Sequence, residues 1–213
     1  QLYGMVHLEK PGEDWVTNAD GTRLYVTMPA AGTVAVVDLG EFDVITTVEV
    51  GAGPLRLGLQ PDGRYLWVAN NDPDGGPGGV TVVDTRSLEV VGSVATGAGH
   101  HELSFTADSL FALVTNDADG TVSVIDTSAK RVTATIPVGD EPHGVLTDRS
   151  GRTLYVLNTG QDSISVIDTR LGEVGDIKDS PEVDPRKLLR VAFKKETKRG
   201  LSISTPASKG TVR

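Results

Sequence analysis

The chain of 213 residues contains no cysteine, which excludes a disulfide framework, a thiolate metal site, a thiol nucleophile and a covalently attached c-type haem. Methionine and phenylalanine are scarce, at two and four residues. No apolar run approaches the roughly 18 residues that a membrane-spanning helix requires, so no transmembrane segment is expected. Motifs of common enzyme classes are missing as well: there is no G-x-S-x-G elbow, no H-E-x-x-H pair and no P-loop. Nucleophilic hydrolysis and nucleotide chemistry lose their usual signatures. The chain begins at Gln1 rather than Met, which fits a processed export product or a fragment.

What is present is rich in Val, Thr and Gly, with 38% apolar residues, a balance that favours strands joined by tight turns. Charge is unevenly spread. Residues 1–175 carry a net −14 and residues 176–213 a net +5, within the total of −9. An acidic body repels phosphate backbones and anionic lipid, so no nucleic acid partner is expected for it.

Self-comparison of the chain gives the strongest signal. An apolar run ending in Asp recurs as TVAVVD to Asp38, VTVVD to Asp84, TVSVID to Asp126 and SISVID to Asp168, at spacings of 46, 42 and 42. A second anchor recurs at Leu24-Tyr25-Val26, Leu66-Trp67-Val68, Ala112-Leu113-Val114 and Leu154-Tyr155-Val156. The longer spacing has a local cause, since Pro73 to Gly79 adds four residues relative to Ala118 to Thr121. Within a copy, four short stretches have strand chemistry. In the third they are Glu102 to Thr106, Phe111 to Thr115, Thr121 to Asp126 and Arg131 to Val138. Alternation puts Val122 and Val124 on one face and Ile125 on the other, as in a strand whose sheet lies between two others. Four such strands per 42 residues describe a propeller blade. The expected fold is therefore all-β, a β-propeller of four-stranded antiparallel blades near 10–50, 51–96, 97–138 and 139–175.

The phrases Leu154 to Thr169, Leu113 to Thr127 and Thr133 to Val145 carry a family likeness: the chain from about Val6 to Val174 resembles the YVTN-type propeller repeat of surface-layer and related extracytoplasmic proteins. That resemblance implies a periplasmic, secreted or cell-surface location. It also implies a partial propeller, since such rings usually hold seven blades, and this chain enters near the last strand of a preceding one. Exposed end blades then invite association with other chains. The first copy departs from the pattern with Met28-Pro29 where Asn70, Asn116 and Asn158 stand, which predicts an altered turn. Residues 176–213 lose the repeat and read as a basic tail, flexible or artefactual.

In a propeller the loop leading into each blade's innermost strand faces the central channel, so equivalent positions meet around one axis. Those loops align as Pro11-Gly12-Glu13-Asp14, Gly53-Pro54-Leu55-Arg56, Gly99-His100-His101-Glu102 and Glu141-Pro142-His143-Gly144. His101 and His143 share one column and Arg56 and Glu102 the next, so these four are the candidate ligand-binding residues. The two imidazoles are candidate ligands for a divalent metal, and His100 is expected to point elsewhere. This placement is similar to that in the haem d1 propeller domain of nitrite reductase, whose histidines on adjacent blades face the cofactor; no motif here names that cofactor. The alternative is that the histidines are loop residues bonding a neighbouring blade.

The acidic loops Asp72 to Gly75 and Asp117 to Gly120 fit either hairpin turns or incomplete calcium loops. The recurring Asp38, Asp84, Asp126 and Asp168 read as turn-capping residues, because a catalytic constellation is not supplied four times over. Two functions follow. One is a non-catalytic scaffold that binds a protein, glycan or small-molecule ligand. The other is a channel-mouth enzyme, such as a lyase or lactonase-like hydrolase, or a cofactor-binding redox propeller, using His101 and His143.

Overall fold

Short strands rich in Val and Thr, separated by Asp-, Gly- and Asn-containing turns, can satisfy their backbone groups only by pairing with their sequence neighbours. The computed structural model, which describes residues 4–71, 78–99, 102–148 and 153–168, follows that rule in each repeat. The first sheet runs in order β1 (Trp15–Thr17), β2 (Arg23–Met28), β3 (Thr33–Asp38) and β4 (Asp43–Glu49). The second comprises β5 (Pro54–Leu59), β6 (Tyr65–Asn70), β7 (Gly79–Asp84) and β8 (Glu89–Ala95). The third comprises β9 (Leu103–Phe105), β10 (Phe111–Asn116), β11 (Thr121–Asp126) and β12 (Arg131–Pro137). The fourth has β13 (Pro142–Thr147), β14 (Thr153–Asn158) and β15 (Ser163–Asp168), and whatever follows lies outside the described residues. All pairs are antiparallel meanders, and the first strands β1, β5, β9 and β13 touch in succession. The protein is an all-β partial propeller.

Two faces of each sheet explain how the blades adhere. Tyr25, Val34, Val36 and Val48 of the first sheet form one buried cluster with Leu57, Leu66, Val68 and Val83 of the second. One repeat later, Trp67, Val80, Val82 and Val94 of the second sheet pack on Ala112, Val114 and Ile125 of the third. The same face of each blade thus always meets the opposite face of the following one. Each fully buried aliphatic side chain contributes about 1.5–3 kcal/mol through the area it removes from water, so a blade without neighbours loses most of its stabilisation.

The first and fourth sheets differ from the middle two in what is packed on them. Tyr155 pairs with Val166 as Trp67 pairs with Val82 and Leu113 with Val124. Yet Tyr155 is 41% exposed while Trp67 and Leu113 are wholly buried. At the other end, residues 4–14 form no strand, contrary to the expected remnant of a preceding blade. Instead Val6 and Leu8 pack on Val26, Met28, Ala35 and Val37 and cover that face of the first sheet.

The first copy's turn differs less than the sequence suggests. Pro29–Ala31 forms a 3₁₀ turn closed by left-handed Gly32, and the fourth copy does the same with Thr159–Gln161 and Asp162. What changes is the side-chain bonding. Asn70 Nδ2 donates to Thr81 Oγ1 at 2.8 Å, Asn116 Nδ2 to Ser123 Oγ at 2.9 Å and Asn158 Nδ2 to Ser165 Oγ at 3.0 Å. In the first copy Met28 and Ala35 stand in those places and form an apolar contact set.

The recurring Asp residues close turns, as their repetition implies. Asp38 Oδ1 accepts from Gly40 N–H and Glu41 N–H, Asp84 Oδ1 from Arg86 N–H and Ser87 N–H, and Asp126 Oδ1 from Ser128 N–H and Ala129 N–H. These bonds favour the ionised form, so all three carboxyls are held below the ordinary value of 3.8. The Thr that follows ties the turn to the hairpin beside it: Thr85 Oγ1 donates to Gly63 O and Thr127 Oγ1 to Ser109 O.

Candidate functional site

The candidate rim is built where each blade's lead-in loop becomes its first strand, and one repeat position there links blade to blade. Its members are Asp14, Arg56, Glu102 and Gly144. Asp14 Oδ2 accepts the Leu57 N–H of the second blade at 3.0 Å, while its Oδ1 accepts Trp15 N–H at 2.9 Å. Arg56 Nε stands 2.6 Å from Glu102 Oε1 of the third blade, and both side chains are about one-third exposed, at 35% and 32%. Gly144, the fourth member, has no side chain to extend the series.

Hydroxyls hold this column from behind. Asp14 N–H donates to Thr27 Oγ1, and Glu102 N–H donates to Thr115 Oγ1, each at 3.0 Å. These threonines occupy the same place in the first and third copies, next to the innermost strand. The backbone carrying both carboxylates is therefore held in place by these hydroxyls.

His143 is exposed and lies one residue before Gly144. In β13, Pro142 pairs with Asn158 and Gly144 with Leu157, so His143 is the extra residue of a bulge. The second blade has the same bulge at Leu55, between Pro54 and Arg56. A bulge re-aims the side chain it carries, so the two copies present an imidazole and an isobutyl group from the same backbone device. This bulge was not legible in the lead-in sequences, although the shared proline at Pro54 and Pro142 is its signal. His101 and His100 lie outside the described residues, and the pairing of His101 with His143 rests on their alignment.

Of the two acidic loops, Asp72 to Gly75 lies outside the described residues. In the other, Asp119 Oδ2 accepts Ala98 N–H at 2.8 Å, and Gly120 at φ 62° closes the turn. Asp119 thus anchors the segment between the second and third blades. Among the described residues no three His, Asp or Glu side chains are grouped as a metal site, and no helix is long and apolar enough to cross a membrane.

Residues 1–145 match the family model of the cytochrome D1 heme domain. No curated protein matches the chain by sequence. Among solved structures, hydrazine synthase of Kuenenia stuttgartiensis is similar with a TM-score of 0.68 and 25% identity, over 79% of this chain and 49% of that one. A functionally unknown protein from Desulfotomaculum acetoxidans has a TM-score of 0.69 and 14% identity, over 78% of this chain and 54% of that one, and this second likeness is one of fold alone. The chain spans about half the length of each.

Proposed function

The chain belongs to the cytochrome D1 heme domain family, and from that premise we propose that it is an extracytoplasmic propeller serving as a binding scaffold, with its ligand seated on the rim of Arg56, His101, Glu102 and His143. The observation that carries this reading is the braced column: Asp14 bonds the second blade and Arg56 the third, and the fourth blade's lead-in carries an exposed imidazole on a bulge. Such a rim offers a fixed cation–carboxylate pair and a donor–acceptor ring to a polar ligand, which suits a protein loop, a glycan or a small polar molecule. The likeness of the repeats to those of extracytoplasmic propellers supports the location.

The described members of this column do not supply the cations that the cofactor in the family's name would need. A haem carries carboxylates that need cationic partners, whereas Arg56 is already engaged by Glu102. The other members of the column are Asp14, itself a carboxylate, and Gly144.

A second reading, metal or cofactor binding by His101 and His143, is favoured by their shared repeat position on adjacent blades. Screening the purified chain on a glycan array and a displayed peptide library, with calorimetric titrations of zinc chloride and protohaem alongside, separates the two. The scaffold reading expects saturable glycan or peptide binding that His143→Ala weakens at an unchanged thermal midpoint. One-to-one zinc or protohaem uptake, lost in both His101→Ala and His143→Ala, replaces it with the second.

A further inference from the structure

Antiparallel pairing turns alternate backbone groups of an innermost strand away from its only partner, toward the strand's free inner edge. In the third blade Glu102 O accepts Thr115 N–H and Thr106 N–H donates to Phe111 O, so Leu103, an odd step from both, directs its N–H to that edge. In the fourth, Asp148 N–H donates to Thr153 O, and Val145, three residues back, faces the same edge. Trp15 and Leu57 hold this repeat position in the first two blades. There the edge is filled from within the chain. Asp14 accepts Trp15 N–H on Oδ1 at 2.9 Å and Leu57 N–H on Oδ2 at 3.0 Å, so one carboxylate bridges the amides of two adjacent blades.

We propose that Leu103 N–H and Val145 N–H form a binding site for the carboxylate of a small ligand, which takes the place that Asp14's own carboxylate occupies between the first two blades. The inner strands β9 and β13 touch as β1 and β5 do. Among the described residues neither amide has an acceptor. The residue that corresponds to Asp14 at this junction is Glu102, and its carboxylate is turned instead to Arg56 Nε of the preceding blade, at 2.6 Å. Arg56 thus acts as a positioning residue: it draws Glu102 aside, keeps the junction open and offsets the charge that would repel an incoming anion. This inference narrows the rim reading to one ligand chemistry and rests on that reading.

Two converging amide donors select an acceptor with two oxygens in one plane. A carboxylate meets that demand with charge-assisted bonds, about twice as strong as those to a neutral carbonyl, and Asp14 shows the fit at the sister junction. No cation is needed for a single small carboxylate held in this way. The site lies on the innermost edge of each sheet, not on a face that a further blade would cover, and Leu103 belongs to a blade with a neighbour on either side. A free small acid and the terminus of a peptide both carry the required group.

The test is an amide-resolved NMR titration of the isotope-labelled chain with propionate and with acetyl-trialanine, using propionamide and the terminal amide of the peptide as controls. The Leu103 and Val145 amide protons should move downfield and saturate with an acid but not with its amide. Leu57, already bonded to Asp14, should stay still. Saturation by propionate alone assigns a free small acid, and saturation by both admits a peptide terminus. Asp14→Ala should add a second saturable response at Trp15 and Leu57. Arg56→Ala releases Glu102 onto Val145 N–H and should weaken binding about tenfold or more, the worth of one charge-assisted hydrogen bond. Adding Glu102→Ala should restore it, which a merely structural Arg56 would not do. Unmoved Leu103 and Val145 amides overturn the inference, as does a double variant that stays as weak as Arg56→Ala. If those amides stay still while peptide or glycan binding is present and weakened by His143→Ala, this inference falls and the rim reading stands; with no such binding, both fall.

Discussion

Arg56 Nε and Glu102 Oε1 stand 2.6 Å apart on two different blades, at repeat positions that coincide when the copies are aligned. A single column thus supplies both members of an interblade ion pair, with Asp14 reaching the second blade from the first. Because each partner is about one-third exposed, water screens the pair, and its coupling is about 0.5–1 kcal/mol. A double-mutant cycle of Arg56→Ala and Glu102→Ala, followed by urea unfolding, should return that value at low salt and less at high salt. A coupling near zero at low salt would mean that the pair does not brace the rim.

Trp67 and Tyr155 occupy one repeat position in different surroundings. Trp67 is fully buried, donates from Nε1 to Gln60 Oε1 at 3.1 Å and meets Phe105 edge-on at 6.0 Å between ring centroids. Trp67→Ala should therefore cost about 3–5 kcal/mol, as truncation of a large core aromatic does. Tyr155→Ala, at a position 41% exposed, should cost under about 1 kcal/mol. Equal losses in denaturant midpoint would contradict this difference in burial.

Asn116 tests the coordinated exchange that distinguishes the first blade. Its Oδ1 accepts Gly97 N–H at 3.0 Å, and its Nδ2 donates to Thr121 Oγ1 and Ser123 Oγ, each at 2.9 Å. Asn116→Met strands those groups and should destabilise by about 1–3 kcal/mol. Asn116→Met with Ser123→Ala, which reproduces the Met28 and Ala35 arrangement, should recover part of the loss. Thermal unfolding of both variants decides whether the two positions act as a unit.

The turn carboxylates make the fold acid-sensitive in a defined direction. Asp126 is held below 3.8 first by the Ala129 N–H and then by the Ser128 hydroxyl. The unfolded chain therefore takes up its proton at a higher pH than the folded one. The contribution is complete above pH 3.8 and fades as pH falls through the lower folded value. Asp38 and Asp84 act in the same sense. The urea midpoint should drop as pH is lowered below 3.8, and Asp126→Asn should flatten that drop. An unchanged pH profile in the variant would remove Asp126 from this role.

The repeat, the four strands of each of the first three copies and the turn role of Asp38, Asp84 and Asp126 were all determined by the sequence alone. The reason is that alternation, strand length and Asx capping are local: Val122 to Asp126 carries its two faces and its turn within a few residues. Alignment also brought Arg56 and Glu102 to one column, because a repeat converts equal phase into spatial adjacency. Only the tertiary structure decided which face of a blade meets which, and so why Trp67 is sealed while Tyr155 is not. It likewise decided that His143 sits on a bulge, that Asp14 crosses to Leu57, and that Val6 and Leu8 cover the first sheet. Each of these depends on a partner far away in the chain or on a one-residue slip in register, and neither leaves a periodic trace for a local reading to detect.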